Sequence, residues 1–273
     1  MTLNSEGAQR AISKDGTAIA FERSGAGPAI ILVDGALCSR SFGPTPKLAP
    51  LLASHFTVFT YDRRGRGESA DTAPYGKERE VEDIDALIRE AGGSAFVLGL
   101  SSGAALGLLA AASGLNITKL ALYEPPFMVD EKAHRPPVDH EGRLKQLICA
   151  GRRSDAVKFF MRDVVGMPAI FVAAMPLMFP VWSKLKAVAH TLPYDAAVMG
   201  DYTLPAERIA SVMTPTLVMD GEKTDVRLRH AVQATAGVLR NAQHHTLKGQ
   251  THNVSARALA PVLVKFLVGP SPL

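Results

Sequence analysis

Short, continuous apolar runs alternate with helix-like patterns along most of this chain. Such runs, bounded by polar residues, Gly or Pro, are typical of strands that are buried on both faces of a parallel sheet. Between the runs, apolar residues recur three or four positions apart, as they do on the buried face of a helix. The alternation predicts an α/β fold, a mostly parallel eight-stranded sheet with helices on both faces.

The predicted elements can be placed along the chain. An opening hairpin turns at Asp15-Gly16. The predicted strands are residues 11–13, 17–23, 29–33, 56–61, 95–100, 118–123, 216–219 and 244–247. The predicted helices are residues 78–90, 102–112, 228–239 and 259–267, and the first has Val81, Ile84, Leu87 and Ile88 on one face.

One long segment departs from this alternation. From about residue 127 to residue 205 the chain has no parallel-strand pattern, and prolines recur. We therefore predict a mostly helical insertion that caps the carboxyl edge of the sheet. This divides the chain into a core domain, residues 1–126 and 206–273, and a helical cap, residues 127–205.

Composition excludes several classes of protein. The chain has 273 residues, 47% of them hydrophobic, which suffices for one large domain with an insertion. The net charge is +4, but no dense basic stripe with interleaved aromatics is present, so nucleic acid is not an expected partner. Cys38 and Cys149 have neither disulfide-framework nor metal-site spacing, which favours a reducing, cytoplasmic location. The polar residues 1–16 lack an apolar signal core.

Two uncharged stretches, residues 91–118 and 164–183, have the length of a membrane span. The first contains several glycines and serines and divides into a strand and a helix. The second is interrupted by Pro168, Pro176 and Pro180. We therefore expect no membrane partner.

The strongest chemical signal is the pentapeptide Gly99-Leu100-Ser101-Ser102-Gly103. It lies between a predicted buried strand and a predicted helix, which is the setting of a nucleophile elbow. In such a turn the glycines let strand and helix pass closely, and the central serine is exposed on strained backbone. We therefore expect Ser101 to be a catalytic nucleophile. Ser102, which is off the centre of the motif, is the rival and is expected to face the helix.

A nucleophilic serine needs a base, and the base needs an orienting acid. His252 follows the last predicted strand, so it is positioned to reach back over the sheet toward the elbow. Three carboxylates follow strands at the same edge: Glu124, Asp220 and Asp225. Glu124 differs from the other two because its strand neighbours that of the elbow and Pro125 and Pro126 fix the chain's exit.

An oxyanion also needs hydrogen-bond donors. The backbone N–H of Ser102 is the first candidate, because it lies at the start of a helix. The second is expected from the turn after strand 29–33, where we favour the N–H of Ala36.

With these motifs assembled, the chain resembles the α/β-hydrolase superfamily over nearly its full length. The resemblance is carried by ILVDG at 31–35, TYDRRGRGES at 60–69, GLSSG at 99–103, PTLVMD at 215–220 and GQTH at 249–252. It implies Ser101 as nucleophile, His252 as base, the chain order nucleophile, acid, histidine, and a cap that controls substrate entry. Residues 62–69 correspond to a loop that braces the fold, so Asp62 and its arginines are interpreted as structural.

Two positions depart from the family pattern. The family usually has His-Gly where this chain has Asp34-Gly35, which keeps a backbone donor but brings a carboxylate close to the site. The usual acid position after the seventh strand is occupied by Thr224, with Asp225 one residue later. Some members carry the acid after the sixth strand, where this chain has Glu124. We therefore favour Glu124 and keep Asp225 as the alternative.

The expected activity is that of a serine hydrolase. It would cleave an ester, thioester or lactone of a small to medium apolar molecule, with no cofactor and no metal ion. Two alternatives use the same site. One is hydrolysis of a C–C bond or a lyase reaction, since fold does not fix function. The other is a non-catalytic hydrolase-like protein that binds a small ligand.

Overall fold

A mixed sheet of eight strands runs through the computed structural model, which describes residues 8–130 and 134–269. Its strands are β1 (Gln9–Ile12), β2 (Ala18–Ser24), β3 (Ala29–Val33), β4 (Thr57–Tyr61), β5 (Ala95–Leu100), β6 (Ile117–Tyr123), β7 (Thr216–Gly221) and β8 (Ala242–Leu247). They lie in the order β1-β2-β4-β3-β5-β6-β7-β8. The strand β2 pairs antiparallel with both of its neighbours, and all the other pairs are parallel.

Helices cover both faces of this sheet, and further helices lie in the segment between β6 and β7. In chain order the helices are α1 (Thr45–Leu52), α2 (Lys77–Glu90), α3 (Ser102–Ala112), α4 (His140–Cys149), α5 (Arg153–Phe159), α6 (Ala169–Ala174), α7 (Phe179–Val188), α8 (Leu192–Met199), α9 (Ala206–Ile209), α10 (Val226–Val238) and α11 (Ala256–Val268). The prediction of a mostly parallel eight-stranded sheet with helices on both faces is confirmed.

Two apolar layers follow from the alternation of side chains along the strands. In β3, Ile30 and Leu32 pack in one layer with α1 and α11, while Ile31 and Val33 pack in the other layer with α2 and α3. All four side chains are essentially inaccessible to solvent. The continuous apolar runs in the sequence are therefore strands with both faces buried.

The helix α1 was missed by the sequence pattern. Its two prolines, Pro46 and Pro50, are more typical of a loop than of a helix. Pro46 is tolerated because it lies in the first turn, where no intrahelical N–H is required. Burial of Leu48 and Leu52 against the sheet stabilises the helix despite Pro50 in its interior.

Between β6 and β7, the described residues form a helical segment, α4 to α9, and no strand. Its helix α8 packs on α2 and α3 of the core. Residues 131–133 of this segment lie outside the described residues. Residues 1–7, part of the polar N-terminal stretch that lacks an apolar signal core in the sequence, also lie outside them. In the rest of the chain no single helix is long and apolar enough to cross a membrane. One bent pair, residues 169–177 and 179–199, meets the length and composition requirement together, with an angle of 104° between its helices.

Candidate active site

Ser101 lies at the sharp turn between β5 and α3. Its backbone has φ 55° and ψ −124°, a conformation that residues other than glycine rarely adopt. Its N–H donates to the carbonyl oxygen of Tyr123 at 2.9 Å, which ties the turn to the end of the neighbouring strand β6. The turn therefore has the strained backbone that a nucleophile elbow requires.

The two motif glycines are there because strand and helix leave no room for a side chain. A Cβ atom on Gly99 would lie 2.4 Å from the carbonyl oxygen of Gly103. One on Gly103 would lie 2.2 Å from the carbonyl oxygen of Val33, at the end of β3. Both contacts are with backbone, which cannot move aside, so the motif spacing is a packing requirement of the turn.

Glu124 and His252 lie in direct contact. His252 Nδ1 and Glu124 Oε2 are 2.7 Å apart. Because an ionised carboxylate only accepts hydrogen bonds, Nδ1 carries the hydrogen and Nε2 is left as the basic nitrogen. The imidazole is about half exposed, at 47%, whereas the Glu124 side chain is fully buried. The ring is therefore fixed at one nitrogen and open to a reacting group at the other.

The second oxygen of Glu124 is held as firmly as the first. Glu124 Oε1 accepts the N–H of Gly221 at 2.7 Å and the hydroxyl of Thr224 at 2.6 Å. These donors satisfy a carboxylate that has no access to water, so its burial is compensated. Thr224 occupies the position that holds the acid in the family pattern, and here its hydroxyl holds the carboxylate that follows another strand.

The backbone aims Glu124 at this position. The residue follows β6 with a positive φ of 48°, and Pro125 comes directly after it. Its N–H donates to the carbonyl oxygen of Met219 in β7 at 2.9 Å. A non-glycine residue in the left-handed region is strained, and such strain persists where surrounding contacts fix the backbone.

The structure brings neither of the other two acid candidates to His252. Asp225 caps α10, with its carboxylate on the N–H of Arg227 at 2.9 Å and on its guanidinium at 2.8 Å. The hydrogen bonds from Arg227 lower the pKa of Asp225 to about 2. Asp220 is buried between Arg229 and His244, each at 3.3 Å from its carboxylate.

Both candidate oxyanion donors lie at the elbow. Ser102 is the first residue of α3, so its N–H has no acceptor inside the helix. The loop that carries Ala36 is pressed against the turn, since a Cβ on Gly35 would lie 2.9 Å from the Leu100 carbonyl oxygen. Over residues 8–130 and 134–269, neither the Ser102 nor the Ala36 N–H donates to another group of the protein. Both N–H groups are thus unpaired within these residues, as the donors of an oxyanion hole must be.

Asp34, which stands where the family has histidine, is buried rather than solvated. Its exposed fraction is 4%, and its Oδ1 has no hydrogen-bond partner among the described residues. Burial raises the pKa of Asp34 to about 7. The carboxylate beside the site therefore holds a proton to a much higher pH than an exposed aspartate does.

A buried ionic network beside the elbow was not foreseen. Asp195, the one charged residue of α8, lies between the guanidinium groups of Arg63 and Arg66 at 2.7 Å and 2.6 Å. The Ser102 hydroxyl donates to the same carboxylate at 2.8 Å, so this serine turns away from the reacting side of the elbow. A lone aspartate in an otherwise apolar helix is the signal that could have identified it.

Metal chemistry was not expected from the sequence. In the described ranges, no group of three or more His, Cys, Asp or Glu side chains is arranged to hold a metal ion.

Comparison with known proteins gives a consistent result. A family model described as the alpha/beta hydrolase family matches residues 25–263. The chain is 56% identical to an alpha/beta hydrolase from Sphaerobacter thermophilus DSM 20745, with a TM-score of 0.89, over 95% of this chain and 100% of that one. It is 24% identical to a hydrolase from Pseudomonas aeruginosa PA01, with a TM-score of 0.77 over 98% and 100% of the two chains. An esterase from Exiguobacterium antarcticum is 17% identical, with a TM-score of 0.74 over 96% and 100%. The last two show the fold alone.

Proposed function

The chain belongs to the alpha/beta hydrolase family, and we propose that it is a serine hydrolase acting on an ester, thioester or lactone of a small to medium apolar molecule. The observation that carries this proposal is the 2.7 Å hydrogen bond between Glu124 and His252, at the edge of the sheet that also carries the strained turn at Ser101. A buried, fully satisfied carboxylate on Nδ1 is what a histidine needs in order to act as a general base through Nε2.

In the first half of the reaction, Ser101 Oγ attacks the carbonyl carbon of the substrate. His252 Nε2 takes the hydroxyl proton, and Glu124 stabilises the imidazolium that forms. The carbonyl oxygen becomes an oxyanion that accepts hydrogen bonds from the N–H groups of Ala36 and Ser102. As the tetrahedral intermediate collapses, His252 gives its proton to the leaving oxygen or sulfur, and Ser101 keeps the acyl group.

In the second half, water takes the place of the leaving group. His252 removes a proton from the water while the hydroxide oxygen attacks the acyl carbon, and the same two N–H groups hold the second oxyanion. Collapse returns the proton to Ser101 Oγ and releases the carboxylic acid. Every proton moves through one histidine, so the reaction requires no cofactor and no metal ion.

The apolar substrate class rests on the helical segment, which we propose acts as the cap. Between residues 165 and 179 of this segment, six large apolar side chains are more than half exposed: Val165, Ile170, Phe171, Leu177, Met178 and Phe179. The segment approaches the loop that carries Ala36, since Lys184 of α7 lies 5.3 Å from the ring centre of Phe42. A large exposed apolar surface on the segment that we propose as the cap favours apolar substrates over charged ones.

The test compares hydrolysis of p-nitrophenyl butyrate by the wild type and by Ser101→Ala. The variant should lose about four orders of magnitude or more in kcat, because the nucleophile acts as a unit with its base. Equal turnover by the two proteins would refute the proposal. A parallel panel of β-diketones addresses the alternative reaction, and preference for these over esters would point to C–C bond hydrolysis instead. Ligand-induced thermal stabilisation without turnover of either class would point to a binding protein.

A further inference from the structure

Asp195 makes contacts that reach both sides of the proposed oxyanion hole. Its side chain is 1% exposed, and each of its oxygens accepts a short hydrogen bond from an arginine. Oδ1 also accepts the Ser102 hydroxyl at 2.8 Å. Burial opposes ionisation of this carboxyl, but the positive charges of Arg63 and Arg66 outweigh burial, and the net pKa is lowered. The group is therefore a buried anion with three fixed donors.

On one side, Arg66 connects Asp195 to the amide of Ala36. Its Nη1 donates to the Gly35 carbonyl oxygen at 2.7 Å and to the Cys38 carbonyl oxygen at 3.2 Å. The Gly35 carbonyl and the Ala36 N–H belong to one planar peptide unit, in which they point in opposite directions. A cation that holds the carbonyl thus fixes the direction of the N–H and makes it a stronger donor by polarisation.

On the other side, Ser102 is held by its own hydroxyl. Its N–H is the other proposed oxyanion donor, and its side chain is anchored on Asp195 Oδ1. Arg63 completes the arrangement. It donates to Asp195 at 2.7 Å and to the Asp34 carbonyl oxygen at 3.4 Å, in the peptide unit directly before the one that joins Gly35 and Ala36. One carboxylate from the helical segment is thus coupled to both donor amides.

We infer that Asp195 is a positioning residue that holds the Ala36 and Ser102 amides in the geometry required to bind an oxyanion. The inference rests on the proposed function, since it concerns the oxyanion of that reaction. Asp195 touches no reacting atom, and it acts through Arg66 and through the Ser102 hydroxyl. Its removal should weaken transition-state binding while leaving ground-state binding of an uncharged substrate nearly unchanged.

A nearby ion pair provides a matched control. Arg64 lies in the same loop and pairs with Asp83 at 2.6 Å, and both side chains are buried to the same extent as Asp195. This pair has no contact with residues 34–38 or with Ser102 among the described hydrogen bonds. Asp83→Asn therefore reproduces the loss of a buried carboxylate charge without disturbing the oxyanion hole.

The experiment measures kcat, KM and the affinity for an alkyl trifluoromethyl ketone in Asp195→Asn, Ser102→Ala and Asp83→Asn. The ketone adds the serine oxygen to its carbonyl and forms an oxyanion, so its affinity reports on the donors directly. We expect kcat and ketone affinity to fall together, by about 100-fold in Asp195→Asn and about tenfold in Ser102→Ala, with KM within about twofold. Asp83→Asn should lower stability but change neither kinetic quantity by more than about twofold.

Two results overturn the inference. One is unchanged ketone affinity in Ser102→Ala. If Asp195→Asn does not fold, the ketone affinity of Ser102→Ala tests the inference by itself. The other is an equal loss of kcat in Asp83→Asn and Asp195→Asn, compared per folded molecule, since that result would reduce Asp195 to a stability residue. A wild type that neither hydrolyses esters nor binds the ketone would instead refute the proposed function, and the inference with it.

Discussion

Replacement of Asp34 by asparagine should change how stability depends on pH. Burial raises the pKa of Asp34 from 3.8 to about 7. Between these two values the folded protein binds a proton that the unfolded chain has released, so the free energy of unfolding falls as pH rises through this window. Each pKa unit corresponds to about 1.4 kcal/mol, so ionisation of Asp34 removes about 4 kcal/mol of stability by roughly pH 8.

Asparagine has nearly the shape of the protonated acid and has no proton to release. The stability of Asp34→Asn relative to the wild type should therefore increase by about 4 kcal/mol between about pH 4 and about pH 8. Urea unfolding of both proteins at closely spaced pH values measures this difference, with the midpoint and the slope fitted at each pH. Parallel pH dependences of the two proteins would refute the reasoning.

Asp225→Asn provides a control of opposite sign. The hydrogen bonds from Arg227 lower the pKa of Asp225 to about 2, so its stabilising contribution is present above the unfolded value and is lost as pH falls toward 2. The free energy of unfolding of Asp225→Asn should therefore differ from that of the wild type at neutral pH and approach it in acid. For Asp34→Asn, the difference in free energy of unfolding should instead be constant below about pH 4 and grow above that pH.

Two further predictions concern the acid and the elbow. Glu124→Gln should lower kcat for p-nitrophenyl butyrate by about 10³-fold or more, because it removes the charge that orients the base. The kcat of Asp225→Asn should stay within about twofold of the wild-type value. Full activity in both variants would exclude both carboxylates as the acid of the triad. Gly103→Ala should lower the thermal midpoint or prevent folding, because its Cβ would meet the Val33 carbonyl oxygen at 2.2 Å. Gly237→Ala, in helix α10 and with open space around it, should instead stabilise by about 0.5–1 kcal/mol, and a reversed order of the two glycine variants would contradict the packing account.

The central strands of the sheet could be predicted from sequence because they are buried on both faces. Runs such as residues 29–33 and 95–100 are apolar throughout, and their observed bounds match those predicted. The helix α1 could not be predicted, because the sequence shows two prolines, which usually end a helix. The burial of Leu48 and Leu52 stabilises the helix despite them, and this burial is visible only in the folded structure. Local pattern identifies an element when packing agrees with it and fails when packing overrides it.

The part of the site that follows from the order of the strands could be predicted from sequence. Glu124 and His252 follow strands whose carboxyl ends meet at one edge, so their approach follows from topology. Asp195 contacts Arg66 across 129 positions of sequence, and no local pattern links the two residues. The burial of Asp34, which raises its pKa, is likewise a property of the folded loop and not of the sequence near it.

The most direct test of the account is whether Ser101 is an activated nucleophile. Intact-mass spectrometry after incubation with an alkyl fluorophosphonate measures this, because the reagent bonds to a serine only where a base and an oxyanion hole assist. The account predicts a single adduct on the wild type and none on Ser101→Ala. Equal labelling of the two proteins, or no adduct on folded wild type, would contradict it.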